Sequence, residues 1–142
     1  MEFTKDELLK IMFEELRIAQ DIIKRMANNS FLIKGWSITL VIGTLLLKGS
    51  EITAYLTYIP IVFFWYLDAY FLWLERLYRK LYDWIRENRL RTTDHLFDMN
   101  YSRFTEQEKT LLQIAFSKTL LSFHGSLLLL TTLYILFLTV RL

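Results

Sequence analysis

Three long apolar blocks, set between densely charged segments, constrain this chain more than any other feature. They are FLIKGWSITLVIGTLLL at 31–47, the run from Ile52 to Leu74, and TLLSFHGSLLLLTTLYILFLTV at 119–140. As helix, the first would be roughly 25 Å long, the short end of what crosses a bilayer, and the second is long enough to cross. Pro60 lies inside the second and is a candidate kink. The chain has 142 residues, and three such blocks folded as a soluble core would leave too little polar chain to cover them. Composition points the same way. The chain is 54% hydrophobic but still 23% charged, with the two kinds of residue segregated rather than interspersed. The expected fold class is an all-α membrane protein of three transmembrane helices.

Lysine and arginine placement sets an expected orientation. Lys5, Lys10, Arg17, Lys24 and Arg25 precede the first block. Arg76, Arg79, Lys80, Arg86, Arg89, Arg91, Arg103, Lys109 and Lys118 lie between the second and third, and only Lys48 and Arg141 fall on the other side. The positive-inside rule then puts the N-terminus and the middle segment in the cytoplasm and the C-terminus outside. The N-terminus lacks the basic region and apolar core of a cleavable signal peptide, so it is expected to stay in the mature protein. A net charge of +2 gives no case for nucleic-acid binding, and the absence of cysteine excludes disulfides and thiolate chemistry.

The polar segments read as helix too. Residues 4–29 open on a capping box at Thr4 and Glu7. Leu9, Met12, Leu16, Ala19, Ile23 and Met26 follow at heptad spacing, a seam that packs either on the chain's own second helix or on another copy. The second span, 52–74, continues past the apolar block as a helical stalk to about residue 91, with Leu74, Leu77, Leu81 and Ile85 in helical register. Ser50 is placed to cap that second helix. An irregular connection is expected at 92–104. TEQE, at 105–108, reads as a second capping box opening a helix over 105–118 that leads into the third span, 119–140. The whole is one domain.

Ionisable groups inside the apolar blocks are the candidate site. Asp68 is the sole charged residue between Glu51 and Glu75, and an unpaired carboxylate in the membrane costs on the order of 3 kcal/mol or more. Lys34 on the first block and His124 on the third fall at comparable depth, so each span supplies one ionisable group to a single layer. Such a layer either fixes helix packing, or lines a conduction path or acts as a pH-sensitive latch. Gly35, Thr39 and Gly43 form a small-residue stripe of the kind that lets helices approach closely, within the chain or between copies. Trp36, Trp65, Tyr70, Trp73 and Tyr78 read as interfacial belt residues. His124 and Ser126 in HGS lack a separate base and orienting group, and DHLFD at 94–98 is a poor metal-binding pattern. No enzyme activity, cofactor or metal is expected.

The pattern NNSFLIKGWSITL…FFWYLDAYFLWLERLYRKLYD, residues 28–83, resembles a group of small uncharacterised bacterial multi-pass membrane proteins. In that group a similar NSF-KGW segment precedes the first span, and a W-LD-Y…ER-(Y/F)RKLY segment closes the second. The matching positions here are Asn29, Lys34, Trp36, Asp68, Glu75 and Arg76. The layout is also similar to SLATT-type and cyclic-nucleotide-linked transmembrane effectors of antiphage defence. The resemblance implies a homo-oligomer in the lipid bilayer of the bacterial inner membrane that alters membrane permeability, channel-like, when a partner or ligand triggers it. The third span and the lack of a sensor domain depart from many such effectors, so a trigger would act from a cytoplasmic protein partner or on the cytoplasmic helices. The alternative is a membrane-anchored scaffold whose cytoplasmic helices recruit a soluble protein.

Overall fold

The computed structural model describes residues 3–46 and 55–141. All regular structure among them is helical: α1 (Lys5–Leu46), α2 (Tyr58–Asn88), a 3-10 helix (Ser102–Gln107), α3 (Leu111–Ala115) and α4 (Lys118–Arg141). The expected link at 48–51, with Ser50 as a cap, lies outside the described residues, as does the start of the second block.

α1 begins at the expected capping box. The Thr4 amide donates to Glu7 Oε2 at 2.8 Å and the Glu7 amide donates to Thr4 Oγ1 at 3.3 Å. These bonds and the positive end of the helix dipole favour the ionised carboxylate, and Glu7 titrates below the usual carboxylate range, chiefly because of the Thr4 amide. The expected boundary between an amphipathic helix at 4–29 and a span at 31–47 is absent. One helix of 42 residues runs through both. Nothing in Asn28–Ser30 stops it, because Ser30 directs its hydroxyl to Asp68 instead of to a local backbone group.

α1 and α2 run antiparallel, since Glu15 meets Arg89 while Lys34 meets Asp68. α1 buries Glu15, Ala19 and Ile23, then Ile33, Ser37 and Val41, each set four residues apart and so on one face. The seam residues Met12 and Leu16 pack on a core of Leu77, Leu81, Ile85 and Phe104, so the seam is closed within the chain. α4 lies along the other side of α2, tied by Asp68 to His124 and by Tyr58 OH to Thr132 Oγ1 at 2.9 Å. α2 is therefore the central helix.

The region after α2 differs from expectation. The helix ends at Asn88 rather than near residue 91, because Arg89 turns its guanidinium onto the carbonyls of Thr92, Asp94 and His95. Thr105 caps nothing. It lies inside the 3-10 helix, and Glu108 is extended. The capping box that forms is Thr110 with Gln113, opening the short α3, so the expected helix over 105–118 is replaced by two short pieces. TLLQ at 110–113 carries the same spacing as TEQE, and only there does an apolar run follow.

Two helices, Lys5–Leu46 and Lys118–Val140, are long and apolar enough to cross a membrane. Only 22% and 17% of their most apolar stretches are buried, the reverse of a soluble protein's core helix. Leu46, Phe31, Trp36, Leu129, Leu130 and Val140 are among the large side chains they expose.

Leu81 is fully buried in the α1–α2 core, so Leu81→Ala should cost about 2–5 kcal/mol. Leu112, 72% exposed, should cost within about 0.5 kcal/mol as alanine. Thermal unfolding followed by circular dichroism in detergent compares the two. The lowered Glu7 carboxyl contributes fully above the unfolded carboxylate value and loses that contribution as pH falls through its own lower value. Amide exchange over residues 5–9 should therefore accelerate below that point, and Glu7→Gln should remove the acid-dependent step.

Candidate functional site

The apolar half of the bundle contains one dense polar cluster, and Asp68 is its centre. α2 places Asp68 on its buried face beside Ala69, seven residues after buried Ile61. From α1, Lys34 Nζ reaches Oδ2 at 2.6 Å and Oδ1 at 2.8 Å. Ser30 Oγ, one turn earlier, accepts from the same Nζ at 2.8 Å and donates to Oδ1. From α4, His124 Nε2 lies 2.9 Å from Oδ2. The side chains of Asp68 and His124 are wholly buried, while Lys34 keeps 23% exposure.

These contacts suit an ionised carboxylate. A carboxylate offers about four lone-pair positions, and here Nζ (twice), Ser30 and His124 account for them. With Asp68 ionised against the Lys34 ammonium, His124 Nε2 is the nitrogen that donates to Oδ2. The tautomer follows from the hydrogen-bond pattern. Trp65 fixes the imidazole plane by stacking on it at 5.8 Å with 9° between planes, and is itself held by donating Nε1–H to Ala115 O at 2.8 Å. Phe123 closes another side, edge-on to His124 and 5.9 Å from the Lys34 ammonium.

Lys34, Asp68 and His124 therefore come together as three helices meeting at one carboxylate. The other expected positions do not join them. Gly35, Thr39 and Gly43 sit on the exposed face of α1, where a Cβ at either glycine would meet nothing within 4 Å, so among the described residues the stripe packs on nothing. The face that does pack is Ile33, Ser37 and Val41. Trp36 is exposed, as a belt residue would be. Trp65, by contrast, belongs to the cluster, and Trp73 and Tyr78 pack edge-on against Tyr101. Glu75 pairs with Arg79 at 2.7 Å, and Arg76 approaches Glu108 at 3.6 Å. Asn29 is half-buried in α1. In HGS, Ser126 turns its hydroxyl back to Ser122 O, away from any partnership with His124.

A second buried charge cluster, at the other end of the α1–α2 pair, has no counterpart in the sequence reading. Glu15 and Arg89 are both fully buried and meet in a bidentate pair, Nε to Oε2 at 2.5 Å and Nη2 to Oε1 at 2.9 Å. Arg89 also donates to Thr92 O, Asp94 O and His95 O, and Glu15 Oε1 accepts the Phe97 amide at 2.7 Å. Together they hold the connection in a shape that puts His95 and Phe97 at positive φ, 56° and 53°. Such backbone is costly for non-glycine residues and persists only where surroundings impose it. His95 of DHLFD is spent on this loop, with Nδ1 3.5 Å from Asp98 and its ring against Trp84.

Comparison with family models, curated proteins and solved structures gives no match to this chain.

Removing one member of a fully buried ion pair leaves the other unpaired, at a cost of about 3–5 kcal/mol. Glu15→Gln should therefore lower the unfolding midpoint and release amide protection across 92–98, read by hydrogen–deuterium exchange. The double change Glu15→Leu with Arg89→Met should recover most of the stability but not the protection of the loop, because the carbonyls of 92, 94 and 95 lose their donor.

Proposed function

We propose that this chain is a three-span membrane protein that alters membrane permeability as an oligomer, with the Lys34–Asp68–His124 cluster as the latch that holds its conducting arrangement. The observation that carries the reading is one buried carboxylate bonded at once to α1 and α4. An ion pair placed in apolar surroundings is costly to open and costly to leave half-made, so it gives two discrete arrangements rather than a continuum. A packing role alone would be met by apolar residues at lower cost.

Two spans are α1 and α4, and the third is the apolar part of α2. In support of it, Ile59, Val62, Phe63 and Tyr66 are all more than half exposed, an outward face suited to lipid. The charged half of α2, with the N-terminal half of α1 and the 3-10 helix, then forms a helical stalk on the cytoplasmic side, where the lysines and arginines concentrate. The likeness to small antiphage effectors of the bacterial inner membrane fits this layout and suggests a defence role. The reading involves no catalysis and no cofactor.

A scaffold is the second reading, favoured by the Glu15–Arg89 node. That node holds residues 92–98 in a fixed, strained shape with the Phe97 side chain exposed, as a docking loop for a soluble protein would be.

Membrane potential after induced expression in a bacterial host, at matched membrane levels, separates the two. The native chain should depolarise the host, and Asp68→Asn, which keeps the shape but removes the charge, should abolish the effect while Phe97→Ala leaves it. Depolarisation that survives Asp68→Asn and is lost in Phe97→Ala would overturn the latch in favour of the scaffold.

A further inference from the structure

The stretch that follows the 3-10 helix is pinned to α2 at two levels. At its charged end the Glu108 carboxylate lies between two cations of α2, 3.6 Å from Arg76 Nη1 and 3.8 Å from Lys80 Nζ. At its apolar end Ala115 O accepts the Trp65 indole N–H at 2.8 Å, and the Phe116 ring stands edge-on to Trp65 at 5.7 Å. Arg76 and Trp65 lie about 16 Å apart along the α2 axis. Residues 108–116, α3 among them, therefore run beside α2 from its charged half down to the level of the Asp68 cluster.

The side chains exposed along that run change character with depth. Arg76 and Lys80 keep 32% and 33% of their side chains exposed. Their distances to Glu108 are those of ion pairs, too long for hydrogen bonds, so their N–H groups retain capacity for an acceptor. Lys109, next in the chain, is exposed, and it is its backbone amide that meets Glu108. Glu75, the other carboxylate on this part of α2, is committed to Arg79 by two hydrogen bonds. The three cations outweigh Glu108, and they still do when exposed Glu106 is counted with it. Further along come Leu112, 72% exposed, and Phe116, 64% exposed. Positive charge at one end and bulky apolar side chains at the other, over about 16 Å, complement a molecule that is anionic at its head and apolar behind it.

We propose that Arg76, Lys80 and Lys109, with Leu112 and Phe116 beneath them, form a binding site for an anionic phospholipid of the cytoplasmic leaflet. The inference rests on the membrane-spanning reading and adds a partner to it. The lipid phosphate accepts from the N–H groups of Arg76 and Lys80 that Glu108 leaves unfilled, and the acyl chain lies over Leu112 and reaches Phe116. A zwitterionic lipid brings a cation of its own to the same place and gains less from the basic side chains. A soluble acidic ligand meets the cations but leaves the two apolar side chains in water.

Native mass spectrometry of the full chain, released from nanodiscs made with equal parts of phosphatidylcholine and phosphatidylglycerol, reads which lipid stays bound. Phosphatidylglycerol should be retained in preference. Arg76→Gln with Lys80→Gln should cut its retention roughly tenfold or more. Leu112→Asn, at an exposed position, should also cut it while leaving the unfolding midpoint unchanged. Arg79→Gln removes the same charge from the same helix at a residue paired with Glu75, and should have little effect. An equal loss in Arg79→Gln, or retention indifferent to Leu112→Asn, means diffuse attraction to a charged surface and overturns the site. Displacement of the lipid by inorganic phosphate, or by a soluble glutamate peptide, at matched ionic strength also overturns it, in favour of a free-anion site or a protein-docking face. No preference for phosphatidylglycerol, with depolarisation of the host intact, overturns the lipid site and leaves the permeability reading standing. A chain that stays in solution without detergent or lipid overturns the spanning reading and the site together.

Discussion

Buried charge on the α1–α2 pair is always met from across the interface, and the rest of the architecture follows from that constraint. α1 carries Glu15 and then Lys34, and α2 carries Asp68 and then Arg89, so the two ion pairs have opposite polarity. In the antiparallel register both are satisfied. A parallel arrangement would set Glu15 towards Asp68 and Lys34 towards Arg89, leaving four buried charges facing their own sign. Sliding α2 by one turn would break both pairs at once. Apolar contacts between helices tolerate many registers, whereas paired charges with full hydrogen bonding tolerate one.

The two pairs sit in different surroundings and organise different neighbours. Around Glu15–Arg89 there is a conventional core, with Leu77, Leu81, Ile85 and Phe104 buried and aromatic residues packed on it. The pair's spare donors and acceptors are used to shape the backbone of 92–98. Around Lys34–Asp68 the helices expose large apolar side chains outward, and polar atoms point inward to a third helix. His124 links α4 to α2 through the same carboxylate that links α1, so a change at Asp68 alters the contacts of all three helices.

Much of this was legible in the sequence. The apolar blocks and helical spacing gave the all-helical class, and the isolation of Asp68 in an apolar run pointed to partners on the neighbouring blocks, which Lys34 and His124 prove to be. Ser30 was accessible as the residue one turn before Lys34. Glu15 and Arg89 were not. Each lies among several like residues in a charged segment, and single-chain periodicity cannot say which carboxylate and which guanidinium will turn inward when that depends on a contact 74 residues away. The second helix start was misplaced for a related reason: TEQE and TLLQ offer the same capping chemistry, and the choice falls to whichever precedes residues that can be buried, here Ile114. The small-residue stripe has suitable chemistry for close approach, but the charged contacts orient α1 so that it faces away.

The unbroken course of α1 has a mechanical consequence. A helix of 42 residues behaves as a rod of about 63 Å, and the positions of its two ion pairs lie about 28 Å apart along it. A rod pinned at two points cannot be twisted at one end and left still at the other. Rolling its N-terminal half far enough to lift Glu15 away from Arg89 also turns Lys34 about the same axis, away from Asp68. The helix is therefore a drive shaft between the water-facing and apolar ends of the molecule, with its bearings set by salt bridges.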